Sequence, residues 1–196
     1  MAIQNQDSIN TVLLINHLRE NFDDIHDVSM RFHHQDHTQN GLIVLHMQWE
    51  NGALQSAEAV QNETGNPDFA AGLIEKIKTW SIPALDGPFE INLPLRIRIV
   101  GLTDSTFAEK SIFTGQVTDT DGQPVHRAMI RFNPVSNPQD SVAVCYSNRE
   151  GIFVRTLIPP GTWALQISGD GYQTTVIKEI EFKAGAHLRY AITLKP

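Results

Sequence analysis

The chain lacks most of the features that fix a compartment or a chemistry. It has a single cysteine, Cys145, in 196 residues. No disulfide can therefore form within it, and cysteine usage gives no redox compartment. No hydrophobic run approaches the ~18 residues that a membrane helix needs; Val12 to Ile15 is short and flanked by polar residues. No signal-peptide pattern is read at Met1. Basic residues are few, 15 against 22 acidic ones for a net charge of -7, which argues against a nucleic-acid partner. No glycine loop of the phosphate-cradling kind precedes a helix, since Gly169-Asp170-Gly171 reads as a strand turn. What is present is a hydrophobic content of 41%, ordinary for a globular chain with a core. The length suits one large or two small domains.

The first half mixes two rhythms. From Ser8 to about Phe32, Ile9, Val12, Leu13, Leu18, Phe22, Ile25, Val28 and Phe32 recur at three- and four-residue spacing. This predicts one amphipathic helix capped by Asp7 or Ser8. Ile43, Leu45, Met47 and Trp49 then line one face of a strand, with Leu42 and Val44 on the other, so this strand is expected to be central. Asn51-Gly52 is a strong hairpin signal and leads into a second strand, Ala53 to about Gln61. Asn66-Pro67 is a cap followed by proline at the first helical position. Phe69, Leu73, Ile74, Ile77 and Trp80 form the stripe of that helix, which Pro83 ends. Phe89, Ile91, Leu93, Leu95, Ile97 and Ile99 alternate with Glu90, Asn92, Pro94, Arg96, Arg98 and Val100, giving a last strand.

The second half is all strand and turn. Asp121-Gly122 and Glu150-Gly151 supply the positive φ of hairpin turns. Pro159-Pro160-Gly161 stops a strand before Trp163. Trp163, Leu165 and Ile167 point one way and Ala164, Gln166 and Ser168 the other. Ile180 and Phe182, and then Leu188, Tyr190, Ile192 and Leu194, alternate likewise. Several short, half-buried antiparallel strands separated by turns predict a sandwich. Phe153 and Trp163 are expected in its core, and Trp80 with Ile91 in the core of the first domain. Cys145, with Val142, Val144 and Tyr146 around it, reads as a small side chain on a strand rather than a reactive thiol.

The order Gly115-Gln-Val-Thr-Asp119-Thr-Asp-Gly122-Gln-Pro124-Val125, Ser147-Asn148-Arg-Glu-Gly151-Ile-Phe153, Leu157-Ile-Pro159-Pro160-Gly161-Thr162-Trp163 and Gly169-Asp170-Gly171-Tyr172 resembles the carboxypeptidase regulatory-like domain. That family implies a transthyretin-like β-sandwich that acts as an accessory or interaction module. In the first half, Gly41-Leu-Ile-Val44, Trp49-Glu-Asn-Gly52, Asn66-Pro67, Ile77-Lys-Thr-Trp80-Ser-Ile-Pro83 and Phe89-Glu-Ile-Asn-Leu-Pro94-Leu95 resemble the TonB carboxy-terminal domain. This resemblance implies a three-stranded sheet whose exposed edge takes up a partner's short segment by strand addition.

The expected architecture is α+β, in the order α-β-β-α-β with a three-stranded antiparallel sheet and two helices, followed by an all-β transthyretin-like sandwich. The boundaries expected are 8–100 for the first domain, 101–112 for a linker and 113–196 for the sandwich. Proline is tolerated on edge strands because it lacks a donor, so Pro94 marks the last strand as an edge; it also blunts an edge against aggregation. Glu90, Asn92, Arg96 and Arg98 are the candidate peptide-binding residues on that strand. The two arginines favour a partner with an acidic bias.

Catalytic constellations are thin. His17-Leu-Arg-Glu20 matches the first pair of a zinc peptidase motif but has neither the third ligand nor the scaffold such a site needs. The Tyr-Arg-Gly-Ser signature of hydroxyisourate hydrolases is missing from Ile192-Thr-Leu-Lys-Pro196. His33 and His37 would share a helix face with Asp36 beside them if the helix continues, a partial metal site at best; the plainer reading is a solvated helix end before Gly41. No cofactor and no enzymatic activity are expected. The partner expected is a protein or peptide segment, with no nucleic acid and no membrane insertion by this chain. An accessory subunit of a separately encoded hydrolase is the alternative, and a weak metal-dependent enzyme is the third reading. The resemblance implies the periplasm or cell envelope, and the lack of a visible export signal leaves the cytoplasm as the other possibility.

Overall fold

The computed structural model describes residues 6–99, 102–135 and 143–196. The sequence-predicted strand and linker positions Val100 and Gly101, and Val142 beside Cys145, lie outside the described residues. The chain divides into two compact units, Met1–Phe32 with Asp36–Arg98 and His33–Gln35 with Ile99–Pro196.

The first unit is built from α1 (Gln6–Glu20), α2 (Phe22–Gln35), β1 (Gly41–Glu50), β2 (Ala53–Asn62), α3 (Pro67–Ile77) and β3 (Pro88–Ile97). Its sheet is antiparallel with strand order β2-β1-β3, so β1 is central. Ile43, Leu45 and Met47 on β1 are fully buried, and they join Phe69, Leu73 and Ile77 of α3 in one apolar cluster with Val28 and Phe32 of α2. The hairpin turn has φ of 50° at Asn51 and 80° at Gly52, as a two-residue I′ turn requires. Asn66 caps α3 by accepting the Asp68 N–H at 2.9 Å, with Pro67 in the first turn.

One predicted helix is in fact two. The apolar spacing runs through Asn21, but Asn21 itself leaves the helical region at φ -109°, ψ 27°. Its N–H and Nδ2 both donate to the His17 carbonyl, at 3.0 and 2.9 Å. An asparagine side chain that competes for backbone groups breaks a helix in this way. Asp23 and Asp24 then fall in the first turn of α2, where carboxylates complement the helix dipole. The order is therefore α-α-β-β-α-β. Within α1, Leu14 is fully buried, while Val12, read as part of the apolar stripe, is 53% exposed.

The helix that reads through to Trp80 ends at Ile77, and Trp80 follows as a buried loop residue. Its indole Nε1 donates to Asp24 Oδ2 at 3.0 Å, and Lys76 Nζ lies 3.4 Å from Asp24 Oδ1. Asp24→Ala would leave that indole N–H buried without its acceptor. The expected cost is about 1–3 kcal/mol in urea unfolding followed through the amide signals of this unit; a loss below about 0.5 kcal/mol would mean that water replaces the carboxylate.

The second unit opens with α4 (Asp104–Glu109), within the stretch read as a polar linker. The same polar residues form a capping box: Thr103 Oγ1 accepts the Thr106 N–H at 3.2 Å, and Thr106 Oγ1 accepts the Thr103 N–H at 2.7 Å. Then come β4 (Ser111–Thr118), β5 (Met129–Pro134), β6 (Ala143–Tyr146), β7 (Ile152–Ile158), β8 (Gly161–Ser168), β9 (Thr175–Phe182) and β10 (His187–Thr193). They form two sheets, β10-β4-β7 and β6-β5-β8-β9. Among the described strands every pairing of this unit is antiparallel except that of β10 with β4, which is parallel. Period-two alternation does not encode strand direction, so the sequence reading of all strands as antiparallel fails here.

Between the sheets Phe113, Phe132, Phe153, Leu165, Ile167 and Phe182 are buried together. Trp163 is 8% exposed and donates its Nε1 to the Pro159 carbonyl at 3.1 Å. Ile91, expected in the core of the first unit, is half-buried and packs against it. The turns carry positive φ at Gly122, Gly151 and Gly171.

Candidate functional site

The candidate site is the outer edge of β3 and the sheet face beside it. β3 bonds to β1 alone among the described strands, so it is an edge. Its odd-numbered residues Phe89, Leu93, Leu95 and Ile97 are buried against the helices, while Glu90, Asn92, Pro94 and Arg96 stand exposed on the opposite face. Arg98 is also exposed but lies past the last strand residue, Ile97, because the ladder is shorter than the sequence alternation suggests.

Backbone direction follows from β1. Glu50 pairs with Ala53 across the two-residue turn, and the Leu42 carbonyl accepts the Glu63 N–H at 2.9 Å on the β2 side. In a central antiparallel strand, alternate residues bond to opposite neighbours. Even-numbered β1 groups thus face β2 and odd-numbered ones face β3. The register pairs odd with odd across β1 and β3, for example Leu45 with Leu93. The even-numbered backbone groups of β3, at 88, 90, 92, 94 and 96, therefore point out to the free edge. Both prolines of the strand, Pro88 and Pro94, fall in this set, which is why neither interrupts the ladder to β1.

A residue that the sequence reading overlooked anchors the open face. His46 sits opposite Asn92. Its Nδ1 is 3.0 Å from Asn92 Oδ1, and its Nε2 is 3.4 Å from Glu90 Oε1. The Glu90 side chain nonetheless remains 64% exposed. His46 shares the parity of Leu42 and Val44, so the alternation that made β1 central already placed it here. Glu58 of β2 faces His46 from the other side, and Ser56 donates to Gln48 Oε1 at 2.9 Å.

The histidine cluster does not assemble. α2 stops at Gln35, and Asp36 is extended at φ -150°, ψ 109°, so His33 and His37 do not share a helix face. Asp36 accepts from the Thr38 hydroxyl at 2.7 Å and from its N–H at 2.9 Å. The Thr38 hydroxyl, then its N–H, hold the Asp36 carboxyl below its ordinary range. His33 is buried and His37 is half-buried. Among the described residues no group of three His, Cys, Asp or Glu side chains is placed to hold a metal ion. His17 packs its ring edge-on to Trp80 at 5.2 Å, and Glu20 is exposed.

Cys145 lies half-buried on β6, the outer strand of its sheet, against the sandwich core. Burial pushes its thiol up to about 12, against a partial opposing pull from Arg155. A thiol that stays protonated is a poor nucleophile. Cys145 is expected to react with a disulfide reagent at pH 8 at least ~10-fold more slowly in the native protein than in urea; equal rates would mean that the thiol is open to solvent.

The sandwich motifs turn out to be structural. Asp119 Oδ1 accepts the N–H groups of Asp121 and Gln123 at 2.9 and 2.8 Å. Asn148 Oδ1 accepts those of Glu150 and Ile152 at 3.0 and 2.8 Å. Ser147 Oγ donates to the Val125 carbonyl at 2.6 Å and accepts the Ala128 N–H at 2.8 Å. These side chains hold the loops in shape. Residues 112–195 match the family model of the carboxypeptidase regulatory-like domain. That match spans strands β4 to β10 of the second unit.

Solved structures similar to the chain include 3-chlorocatechol 1,2-dioxygenase from Rhodococcus opacus, at 14% identity and a TM-score of 0.37, covering 48% of this chain and 63% of that one. Another is 5-hydroxyisourate hydrolase from Klebsiella pneumoniae, at 14% identity and a TM-score of 0.34, covering 44% of this chain and 90% of that one. The chain thus spans less than two thirds of the dioxygenase, and likenesses this distant carry no argument about activity. Among curated proteins nothing matches the chain. No helix among the described residues is long and apolar enough to cross a membrane.

Proposed function

We propose that this protein is a non-enzymatic binding or adaptor protein that takes up an extended segment of a partner protein along the edge of β3. The observation that carries this reading is the row of outward backbone groups on β3, a strand that pairs on one side only among the described strands. An added strand gains affinity from such groups and specificity from alternate side chains. The resemblance of the first unit to the TonB carboxy-terminal domain supports the same reading and extends it to a cell-envelope assembly.

Binding is modest in this reading, because ordering an extended peptide costs roughly 1–2 kcal/mol per residue. In an NMR titration with extended peptides, amide shifts should concentrate between Phe89 and Ile97. Shifts confined to the sandwich would sink the proposal. The match of residues 112–195 to a regulatory-like domain favours the second reading, an accessory subunit packed on a separately encoded hydrolase. Co-purification separates the two readings, with a short-segment partner expected for the first and a large catalytic chain for the second.

A further inference from the structure

The outward groups of β3 are not a uniform row. At 88 and 94 the residue is proline, which offers a carbonyl but no N–H. The outward donors are therefore the amides of Glu90, Asn92 and Arg96, and the first two form an unbroken pair bracketed by Pro88 and Pro94. A partner carbonyl that reaches Pro94 finds no donor, so the ladder loses a hydrogen bond at that step. Pairing that starts at Glu90 and Asn92 is thus stopped before Arg96.

The side chains around this window are equally specific. On the open face stand Glu90, Asn92 and His46, with Glu58 opposite His46 on β2. On the covered face the edge position is Ile91, half-buried against the core. Arg96 and Arg98 lie beyond the proline.

Resting on the strand-addition reading above, we infer that the β3 edge is a short docking window, Glu90-Ile91-Asn92, closed at both ends by proline, and that it selects a cationic segment of about five residues. The partner places a lysine or arginine on the open face beside Glu90 and flanks it with apolar residues that extend the patch at Ile91. Any acidic residue of the partner follows after the break, where Arg96 and Arg98 attract it without backbone pairing. This reverses the acidic bias that the two arginines alone suggest, because paired residues contribute directional contacts whereas charges past the break act only through a screened field.

The experiment uses two capped pentapeptides, Thr-Val-Lys-Val-Thr and Thr-Val-Glu-Val-Thr, with the full chain at low salt. Binding is read by chemical shift and by hydrogen exchange of the Glu90, Asn92 and Arg96 amides. The lysine peptide is expected to bind about three- to tenfold more tightly than the glutamate peptide, with that preference lost in the Glu90→Gln variant. Glu90 and Asn92 amides should gain protection while Arg96 does not. Pro94→Ala, which restores the missing donor, should extend protection to Arg96 and tighten binding of a seven-residue peptide of the same alternation. If no peptide perturbs β3, the functional reading itself falls. If peptides protect β3 but show no lysine preference, or protect Arg96 in the unaltered chain, strand addition stands and the proline-closed cationic window is wrong.

Discussion

Phe113→Ala is expected to cost the sandwich about 3–5 kcal/mol, enough to unfold that unit under mild conditions. Phe113 is fully buried on β4. Its ring centroid lies 5.8 Å from Phe132 and 5.6 Å from Phe182, with interplanar angles of 89° and 84°. These are edge-to-face arrangements, which add to the burial itself. Phe153 and Tyr190 are each 5.3 Å away. One side chain thus ties β4 to rings on four other strands, β5, β7, β9 and β10. Urea unfolding followed by the sandwich amide signals measures the loss. A value below about 1 kcal/mol would mean that the neighbouring rings collapse into the space.

Gly151→Ala is the second large effect, and Gly122→Ala is its control. Both glycines have positive φ, 73° and 79°, where an L side chain costs roughly 1–2 kcal/mol. Their surroundings differ. A Cβ on Gly151 would sit 2.3 Å from the Val117 carbonyl oxygen, whereas nothing lies within 4 Å of one on Gly122. The Gly151 carbonyl also accepts the Val117 N–H at 2.8 Å, so the turn cannot shift away without losing that bond. Backbone crowding of this kind adds about 1–3 kcal/mol. Gly122→Ala is expected to lower stability by about 1 kcal/mol and Gly151→Ala by about 2–5 kcal/mol. Equal losses at the two sites would refute the steric part.

What the sequence disclosed follows from what alternation and turn chemistry can encode. Asn51-Gly52, Asn66-Pro67 and the buried parity of β1 and β8 are local signals, and each lies where it was read. The break at Asn21 escaped because apolar spacing continued across it, so the competing side-chain bond was invisible to periodicity. α4 escaped because Thr103 and Thr106 serve a cap as readily as a linker. The parallel pairing of β10 escaped because strand direction is a property of the whole chain path. At the candidate site the exposed parity of Glu90, Asn92 and Arg96 was legible. The direction of their backbone groups was not, since it depends on which neighbour the central strand bonds at each step.

The parallel seam between β10 and β4 bears on when the sandwich can form during synthesis. Of the sandwich strands β4 is made first, at residues 111–118, but its partner on one side is residues 187–193. Until that last strand is made, a flank of β4 is unpaired and Tyr190 is missing from beside Phe113. Contacts this far apart in sequence are slow to close. The nascent sandwich therefore keeps one backbone edge of β4 open after β7 has paired with the other, and the native sheet is completed only when β10 arrives.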